Sequence, residues 1–155
     1  MLVLMRVLIG WHFLYEGIIK LYNPQWTAKG YLASSEGPLQ GFFQWLSTDG
    51  IVGVVDTLNI AILMVVGLTL ILGILEKWGS IFGVIILLLY YLSHPAFPGL
   101  NPGPAEGNYW LVNKNLIEAA ALGVLYTFPT AHVFGIKRLM QAQKHSPEQV
   151  VTPKS

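Results

Sequence analysis

The sequence contains no cysteine and little charge. Without cysteine, the chain itself forms no disulfide, no Cys-ligated zinc site and no iron–sulfur cluster. Only 11% of the residues are charged, whereas an average soluble domain is about 25% charged. Because 54% of the residues are apolar, a water-soluble fold would expose a large apolar surface. The composition therefore indicates an integral membrane protein, with the lipid bilayer as its first partner.

The sequence also lacks a basic surface and the spacings typical of metal ligands. Nine lysines and arginines against eight acidic residues give a net charge of +1. Nucleic-acid binding rests on neutralising phosphates, so we expect no nucleic-acid partner. His12, His94 and His132 are predicted at different membrane depths, whereas haem between helices needs two axial ligands at one depth. We therefore expect no haem, iron–sulfur cluster or metal ion.

Long apolar runs predict the fold. A helix that crosses a bilayer needs about 20 predominantly apolar residues. Runs of this kind occur at about residues 2–22, 52–75, 78–94 and 111–134. We therefore predict an all-α fold, an integral membrane four-helix bundle, built by one four-span domain over residues 1–135.

The segments between the predicted spans differ in character. Pro24 and Pro38 are each typical of a helix start, because proline is favoured at the first helical position. We expect two short interfacial helices in segment 23–50, on the outer side of the membrane. Segment 95–110 contains four prolines, which exclude regular structure. Pro129 is expected to kink or end the fourth helix.

Basic residues predict the orientation in the membrane, because lysine and arginine are concentrated in cytoplasmic loops. Residues 136–155 form a basic tail, expected to be partly disordered, and Lys77 lies between the second and third spans. The two other connections hold only Lys29. We therefore predict a bacterial cytoplasmic (inner) membrane protein with both termini in the cytoplasm and residues 23–50 and 95–110 outside.

Polar side chains from all four spans are predicted at one membrane depth. Ionisable groups inside spans face the bundle interior or a cavity, because lipid does not solvate them. Glu16 and Lys20 are four residues apart, as are Lys114 and Glu118, so each pair can meet on one helix face. Asp56 has no partner on its own helix, and Lys20 or Lys114 is its expected counter-ion. These groups form either two self-neutralised structural pairs or a polar site.

The second interpretation assigns roles to nine residues. The catalytic, proton-exchanging carboxylates would be Glu16, Asp56 and Glu118. The substrate-binding side chains would be Lys20, Asn59, Tyr91, His94, Lys114 and Asn115, with a lysine stabilising a developing anion. Outside this site, Arg6 is expected to extend to the inner headgroups. Trp11 and His12 are expected to be packing residues.

Two stretches of the sequence are similar to a known family. The first span contains Arg6-x3-Gly10 followed by YEGIIKL at residues 15–21, and the fourth span begins with NKNLIE at residues 113–118. Together with Trp26, these residues resemble the DoxX/DoxD family of small bacterial membrane proteins. The resemblance covers about residues 3–135.

The resemblance implies a four-helix membrane protein and a redox role. DoxD-type members are a subunit of thiosulfate:quinone oxidoreductase, which passes electrons from thiosulfate to a membrane quinone. A chain of this type would use a quinone, and its partner would be a second redox subunit or a sulfurtransferase. The alternative is a non-catalytic membrane anchor or scaffold for such a soluble partner, because the chain itself has no evident electron carrier. The sequence leaves its enzymatic status and its oligomeric state open.

Overall fold

The computed structural model describes residues 1–101, 107 and 109–136. Over these residues the chain forms six α-helices, and its one β-type pairing is an isolated bridge between Tyr109 and Val112. The predicted all-α fold is confirmed. From residue 137 onward, the predicted basic tail lies outside the described residues. The helices are α1 (Leu2–Tyr22), α2 (Lys29–Ala33), α3 (Gln40–Leu46), α4 (Val52–Leu72), α5 (Glu76–Ser93) and α6 (Lys114–Thr127).

Three of the described helices, α1, α4 and α5, are long and apolar enough to cross a membrane. They contain 21, 21 and 18 residues, and at about 1.5 Å per residue this length suits a hydrocarbon core of about 30 Å. At most 39% of their apolar windows is buried within the protein. Large side chains such as Leu8, Trp11 and Val65 are exposed on their outer faces. These faces are suited to lipid rather than to water.

The helix within the predicted fourth span is shorter than the apolar run 111–134. α6 has 14 residues, a length of about 21 Å. It begins after Asn113, because the Asn113 side chain accepts a hydrogen bond from Leu116 N at 3.1 Å and caps the first turn. It ends two residues before Pro129, which lacks an N–H group and disfavours helical geometry in the preceding residue.

Glycine brings α1 and α4 into close contact. A Cβ at Gly67 would lie 2.8 Å from Gly10 O, and a Cβ at Gly17 would lie 2.7 Å from Met64 Cγ. Neither distance accommodates a methyl group without a shift of the helices. Small residues let helix backbones approach closely in membranes, so these glycines fix the tightest helix pair of the fold.

The helices α1, α4, α5 and α6 share one hydrophobic core. Its most deeply buried members come from all four: Phe13, Val66, Leu70, Ile86, Leu87, Leu122 and Leu125. α1 packs closely on α4 and α5 packs closely on α6, whereas α1 and α6 contact each other only slightly. This unequal packing leaves space along the seam between α1 and α6.

The core separates two polar ends of the molecule. At the first, which we call the cavity end, α1 and α5 finish while α4 and α6 begin, near Lys20, Asp56, Tyr90 and Lys114. At the second, which we call the Arg6 end, α1 and α5 begin and α4 and α6 finish, near Arg6. The connecting segment with α2 and α3 belongs to the cavity end.

The short helices α2 and α3 begin downstream of Pro24 and Pro38, so the predicted starts at these prolines are wrong. Each proline instead lies second in a turn closed by a backbone hydrogen bond, from Trp26 N to Asn23 O and from Gln40 N to Gly37 O, both 3.0 Å. The fixed φ of proline suits this turn position as well as a helix start. Sequence alone did not separate the two geometries.

Candidate functional site

A cavity of about 310 Å³ lies at the cavity end, between α1, α2, α4, α5 and α6. Its volume is near the lower limit for small-molecule sites, which are typically about 300–1,000 Å³. Apolar side chains such as Phe13, Leu63 and Leu87 form its deeper wall. Of the nine predicted site residues, those that line it are Glu16, Lys20, Asn59, Lys114 and Asn115.

Lys20 is held in place at the wall of this cavity. Its Nζ donates to Glu16 Oε2 at 3.0 Å, the pairing that the four-residue spacing predicts. The same ammonium lies 5.4 Å from the centre of the Trp26 ring, within range of a cation–π interaction. The side chain of Lys20 is only 14% exposed. A positive charge therefore stands at a defined point of the cavity.

Glu118 pairs with a residue that the sequence interpretation did not assign to it. His12 Nδ1 lies 2.9 Å and 3.0 Å from the two Glu118 carboxylate oxygens, which joins α1 to α6. The predicted pair between Lys114 and Glu118 is therefore wrong. Lys114 stays exposed, lines the cavity and forms no ion pair with any described residue. His12 on α1, rather than Lys114 on the same helix as Glu118, is therefore the partner of this carboxylate.

Two asparagines that line the cavity each have a buried amide atom without a hydrogen-bond partner in the described structure. Asn59 Nδ2 donates to Tyr90 Oη at 2.6 Å, while Asn59 Oδ1 is buried without a hydrogen-bond partner in the described structure. Asn115 Nδ2 is likewise buried and unpartnered there. Both side chains line the cavity. Because buried polar groups are nearly always hydrogen-bonded, one free acceptor and one free donor indicate a place for a ligand or water.

Asp56 does not form the ion pair that the sequence predicts for it. Its Oδ1 accepts a hydrogen bond from Ala28 N at 2.8 Å, and no lysine in the described structure pairs with it. The predicted counter-ion, Lys20 or Lys114, is therefore wrong. The N–H groups at the start of a helix lack intrahelical acceptors, so the start of α2 supplies the donor. Asp56 fastens α2 to α4 and does not itself line the cavity.

The structure places the two other predicted residues outside the cavity lining. Tyr91 donates its hydroxyl hydrogen to Leu111 O at 2.8 Å. His94 is buried behind Tyr31, with the two ring centres 4.3 Å apart, and its ring nitrogens contact Ser34 and Ser93. It therefore supports Tyr31, which does line the cavity.

Sequence reasoning missed several lining residues that helix periodicity indicates. His12, Glu16 and Lys20 follow one another at intervals of four and share a face of α1. On α5, Tyr90 lies four residues after Ile86 and three after Leu87, which are both buried, so it shares the face of both. Applying the spacing to whole helices, rather than to charged residues alone, selects His12 and Tyr90.

The Arg6 end contains a second polar cluster, and it is closed. Arg6 is fully buried rather than extended toward headgroups, so that prediction is wrong. Its guanidinium donates to Thr130 Oγ1 at 3.1 Å and to Phe134 O at 2.6 Å, and lies 3.5 Å from Glu76 Oε2. The chain beyond Pro129 folds over the guanidinium and supplies these acceptors. Gly73 leaves room for it, because a Cβ there would lie 3.1 Å from Nη1.

Glu76 completes this cluster and was not predicted from the sequence. Its carboxylate accepts hydrogen bonds from Thr130 N at 2.8 Å and Ala131 N at 2.6 Å. It is 3% exposed. The sequence offered one indication of this pair: Glu76 is an acidic residue at the start of the third apolar run, which lies at the same membrane depth as Arg6. These short hydrogen bonds join α1, α5 and the segment after Pro129, so the cluster has a structural role.

Candidate metal ligands do not converge in the described part of the chain, where no group of three or more histidine, aspartate or glutamate side chains could hold a metal ion. The cavity offers instead two lysines, two amides and tyrosine hydroxyls. These groups are suited to an organic ligand with oxygen atoms.

These features define an integral membrane protein with apolar helices and a polar cavity at one end. The chain belongs to the DoxX family, whose model matches residues 1–95. The match extends from α1 through α5 and does not include the run 113–118. No curated protein and no solved structure matches the chain.

Proposed function

We propose that this DoxX-family protein is a quinone-linked redox subunit and that its cavity binds the quinone head group. The observation that carries the proposal is the pair of unpartnered amide atoms, Asn115 Nδ2 and Asn59 Oδ1. A buried polar atom without a partner costs about 1–3 kcal/mol. The hydroxyl groups of a quinol would accept from Asn115 and donate to Asn59, so the reduced form would satisfy both atoms. The oxidised quinone has only acceptor oxygens and would satisfy Asn115 alone.

The cations and rings of the cavity support the same ligand. Lys20 and Lys114 would stabilise negative charge on a head-group oxygen, because fixed cations in a poorly solvated site act strongly on developing charge. Tyr31 and Tyr90 stand in the wall with their ring centres 6.1 Å apart, edge to face. Aromatic walls of this kind favour contact with a flat ring.

Protons would pass through the carboxylates that remain accessible. When bound, a quinone supplies an acceptor for two electrons and two protons. The Glu16 side chain lines the cavity and is 35% exposed, so it would exchange protons with water. Glu118, in contact with His12, would form a second proton group beside the cavity. Asp56 is assigned a positioning role, because Ala28 N already occupies its carboxylate.

The electrons would come from a partner, because the chain contains no cysteine with which to carry them. The proposed partner is a second redox subunit or a sulfurtransferase that acts on reduced sulfur such as thiosulfate. In the proposed orientation, both termini lie in the cytoplasm of a bacterial inner membrane, and the cavity end faces outward.

Quinone binding by the purified protein in lipid nanodiscs tests this proposal. Wild type should bind decylubiquinone in an equilibrium titration. Asn115→Leu should weaken binding of decylubiquinone about tenfold, because it removes a polar contact worth roughly 1.4 kcal/mol. Asn59→Leu should weaken binding of the reduced form, decylubiquinol, by a similar factor, because only the reduced head group has a hydroxyl that donates to Asn59 Oδ1. Thr57→Ala is the matched control, since the Thr57 side chain lies on the exposed side of α4 and, among the described residues, hydrogen-bonds only to Gly53 O.

Absence of quinone binding by wild type would overturn the proposal, as would equal binding by the two asparagine variants and the control. If quinone does not bind but a redox enzyme or sulfurtransferase co-purifies in a fixed ratio, the membrane-anchor alternative gains support instead.

A further inference from the structure

An apolar groove adjoins the polar cavity. The groove has a volume of about 670 Å³ and lies between α1 and α6. Leu4 and Leu8 form part of one wall, and Ile117 and Ala121 form part of the other. His12 and Lys114 line both the groove and the cavity. The two spaces therefore meet at the side chains that mark the polar boundary.

The groove is long and lacks polar side chains away from this junction. From Met1 to His12 its α1 wall extends about 17 Å, at about 1.5 Å per residue, or roughly half of the hydrocarbon thickness. Its polar lining residues, His12, Lys114 and Glu118, all lie at the cavity end. The groove stays open because α1 packs on α4 and α6 packs on α5, leaving the seam between α1 and α6 nearly unfilled.

We infer that the ligand of the cavity is an amphiphile whose tail lies in the groove between α1 and α6. This inference rests on the proposed function, and it assigns the groove to the isoprenoid tail of a membrane quinone. The adjacency of the two spaces supports this occupant, because the cavity offers hydrogen-bond partners and the groove away from the junction is lined by apolar side chains. The ligand enters sideways from the bilayer, and its head group passes the contact between His12 and Glu118.

A second apolar pocket, of about 300 Å³, also adjoins the cavity and shares the lining residues Ala28, Tyr31, Asn59 and Tyr90 with it. Tyr31 and Tyr90 stand between the two spaces, with their rings in edge-to-face contact. Asn59 fixes Tyr90 through the 2.6 Å hydrogen bond to its hydroxyl. A tail that entered this pocket from the cavity would pass the two tyrosine rings. The junction with the α1–α6 groove is bounded instead by the contact between His12 and Glu118 and by the exposed side chain of Lys114.

Two quinones tested against three kinds of variant examine the inference. The probes are 2,3-dimethoxy-5-methyl-benzoquinone, which has no tail, and the same head group with an isoprenoid tail. Leu8→Trp and Ile117→Trp place a large ring in the groove at exposed positions. Leu89→Trp partly fills the second pocket, and Val65→Trp alters a lipid-facing position that lines neither space.

We expect Leu8→Trp and Ile117→Trp to weaken binding of the tailed quinone at least about tenfold while leaving the tail-less quinone within about twofold of wild type. Leu89→Trp and Val65→Trp should leave the binding of both quinones unchanged. If Leu89→Trp is the only variant that weakens binding of the tailed quinone, the tail lies in the second pocket and the inference is wrong. If the groove variants alter only the co-purified phospholipid, the groove holds bilayer lipid and the inference is also wrong.

The failure of the inference is distinguishable from failure of the proposed function. If wild type binds neither probe, the proposed function and the inference both fail. If both probes bind wild type and no tryptophan variant affects either of them, the head-group site stands and the assignment of the groove fails alone.

Discussion

The two polar ends of this molecule differ in how their buried polar groups are paired. At the Arg6 end, Arg6 and Glu76 are almost wholly buried, and their neighbours Thr130, Ala131 and Phe134 supply hydrogen bonds at 2.6–3.2 Å. Among the described side-chain atoms of this cluster, only Arg6 Nε lacks a partner. The helix ends and the segment after Pro129 close over it completely.

The cavity end instead leaves its polar groups incompletely paired around an open space. Lys114 forms no ion pair with a described residue, and Asn59 and Asn115 each bury an amide atom without a partner there. The difference teaches that charge in a membrane helix does not by itself indicate a binding site. Buried charges that pair with each other in a closed cluster indicate a structural role, whereas incompletely paired polar groups beside a cavity indicate binding.

The largest effect should come from breaking the closed cluster. Arg6→Met should lower the free energy of unfolding by about 3–5 kcal/mol, because it leaves the Glu76 carboxylate buried without its cation. Denaturation by SDS in mixed micelles measures this change. Lys77→Met is the control, since Lys77 is exposed beside Glu76.

The double variant Arg6→Met with Glu76→Met sharpens this test. Removing both charges should restore part of the stability, because no isolated charge stays buried. If Arg6→Met is as stable as the Lys77→Met control, the cluster at the Arg6 end does not stabilise the fold. The proposed difference between a structural Arg6 end and a binding cavity end is then wrong.

Asp56 should have a smaller effect, because it is only partly buried. Asp56→Ala should cost about 1–2 kcal/mol and increase hydrogen exchange at Ala28 N, since the carboxylate no longer fastens α2 to α4. Asp56→Asn retains an oxygen acceptor and should keep most of this protection. Loss of quinone turnover in Asp56→Asn with Ala28 still protected would show that Asp56 handles protons after all.

Asn115→Leu should change stability in the opposite direction from Arg6→Met. Replacing a side chain that carries a buried unpartnered donor should raise the free energy of unfolding by about 1 kcal/mol in the absence of quinone. The same SDS denaturation measures it, with Thr57→Ala as the control. A clear loss of stability would mean that Asn115 has a structural role, as Arg6 does.

The main helices could be predicted from the sequence because lipid requires long apolar runs. The run 52–75 contains α4, which ends where Gly73 adopts a φ of 66° and closes the helix. The site was harder, because the spacing of Lys114 and Glu118 on α6 permits a pair that the facing His12 replaces. Partners on other helices depend on helix rotation and packing, which a single sequence does not specify.

Glu76, at the Arg6 end, is a second residue whose partners could not be predicted from the sequence. Its hydrogen-bond donors lie 54 and 55 residues further along the chain, in the part of the predicted fourth span that follows Pro129. Only the folding back of the residues after Pro129 brings them together. Contacts within one helix could therefore be predicted, whereas contacts that depend on an irregular segment could not.

The smallest effect should come from an exposed carboxylate at the cavity end, which extends the comparison to polar groups without burial. Glu36 accepts hydrogen bonds from Asn101 N at 2.9 Å and Asn101 Nδ2 at 2.7 Å. These bonds lower its pKa in the folded protein, so their stabilisation is present above the ordinary glutamate pKa and is lost as the pH falls through the lowered value. Hydrogen exchange at Asn101 N, corrected for its intrinsic pH dependence, should lose protection over that acidic range, and Glu36→Gln should abolish the pH dependence. An unchanged pH profile in Glu36→Gln would show that this carboxylate does not hold Asn101, and that burial alone decides which polar contacts at this end matter.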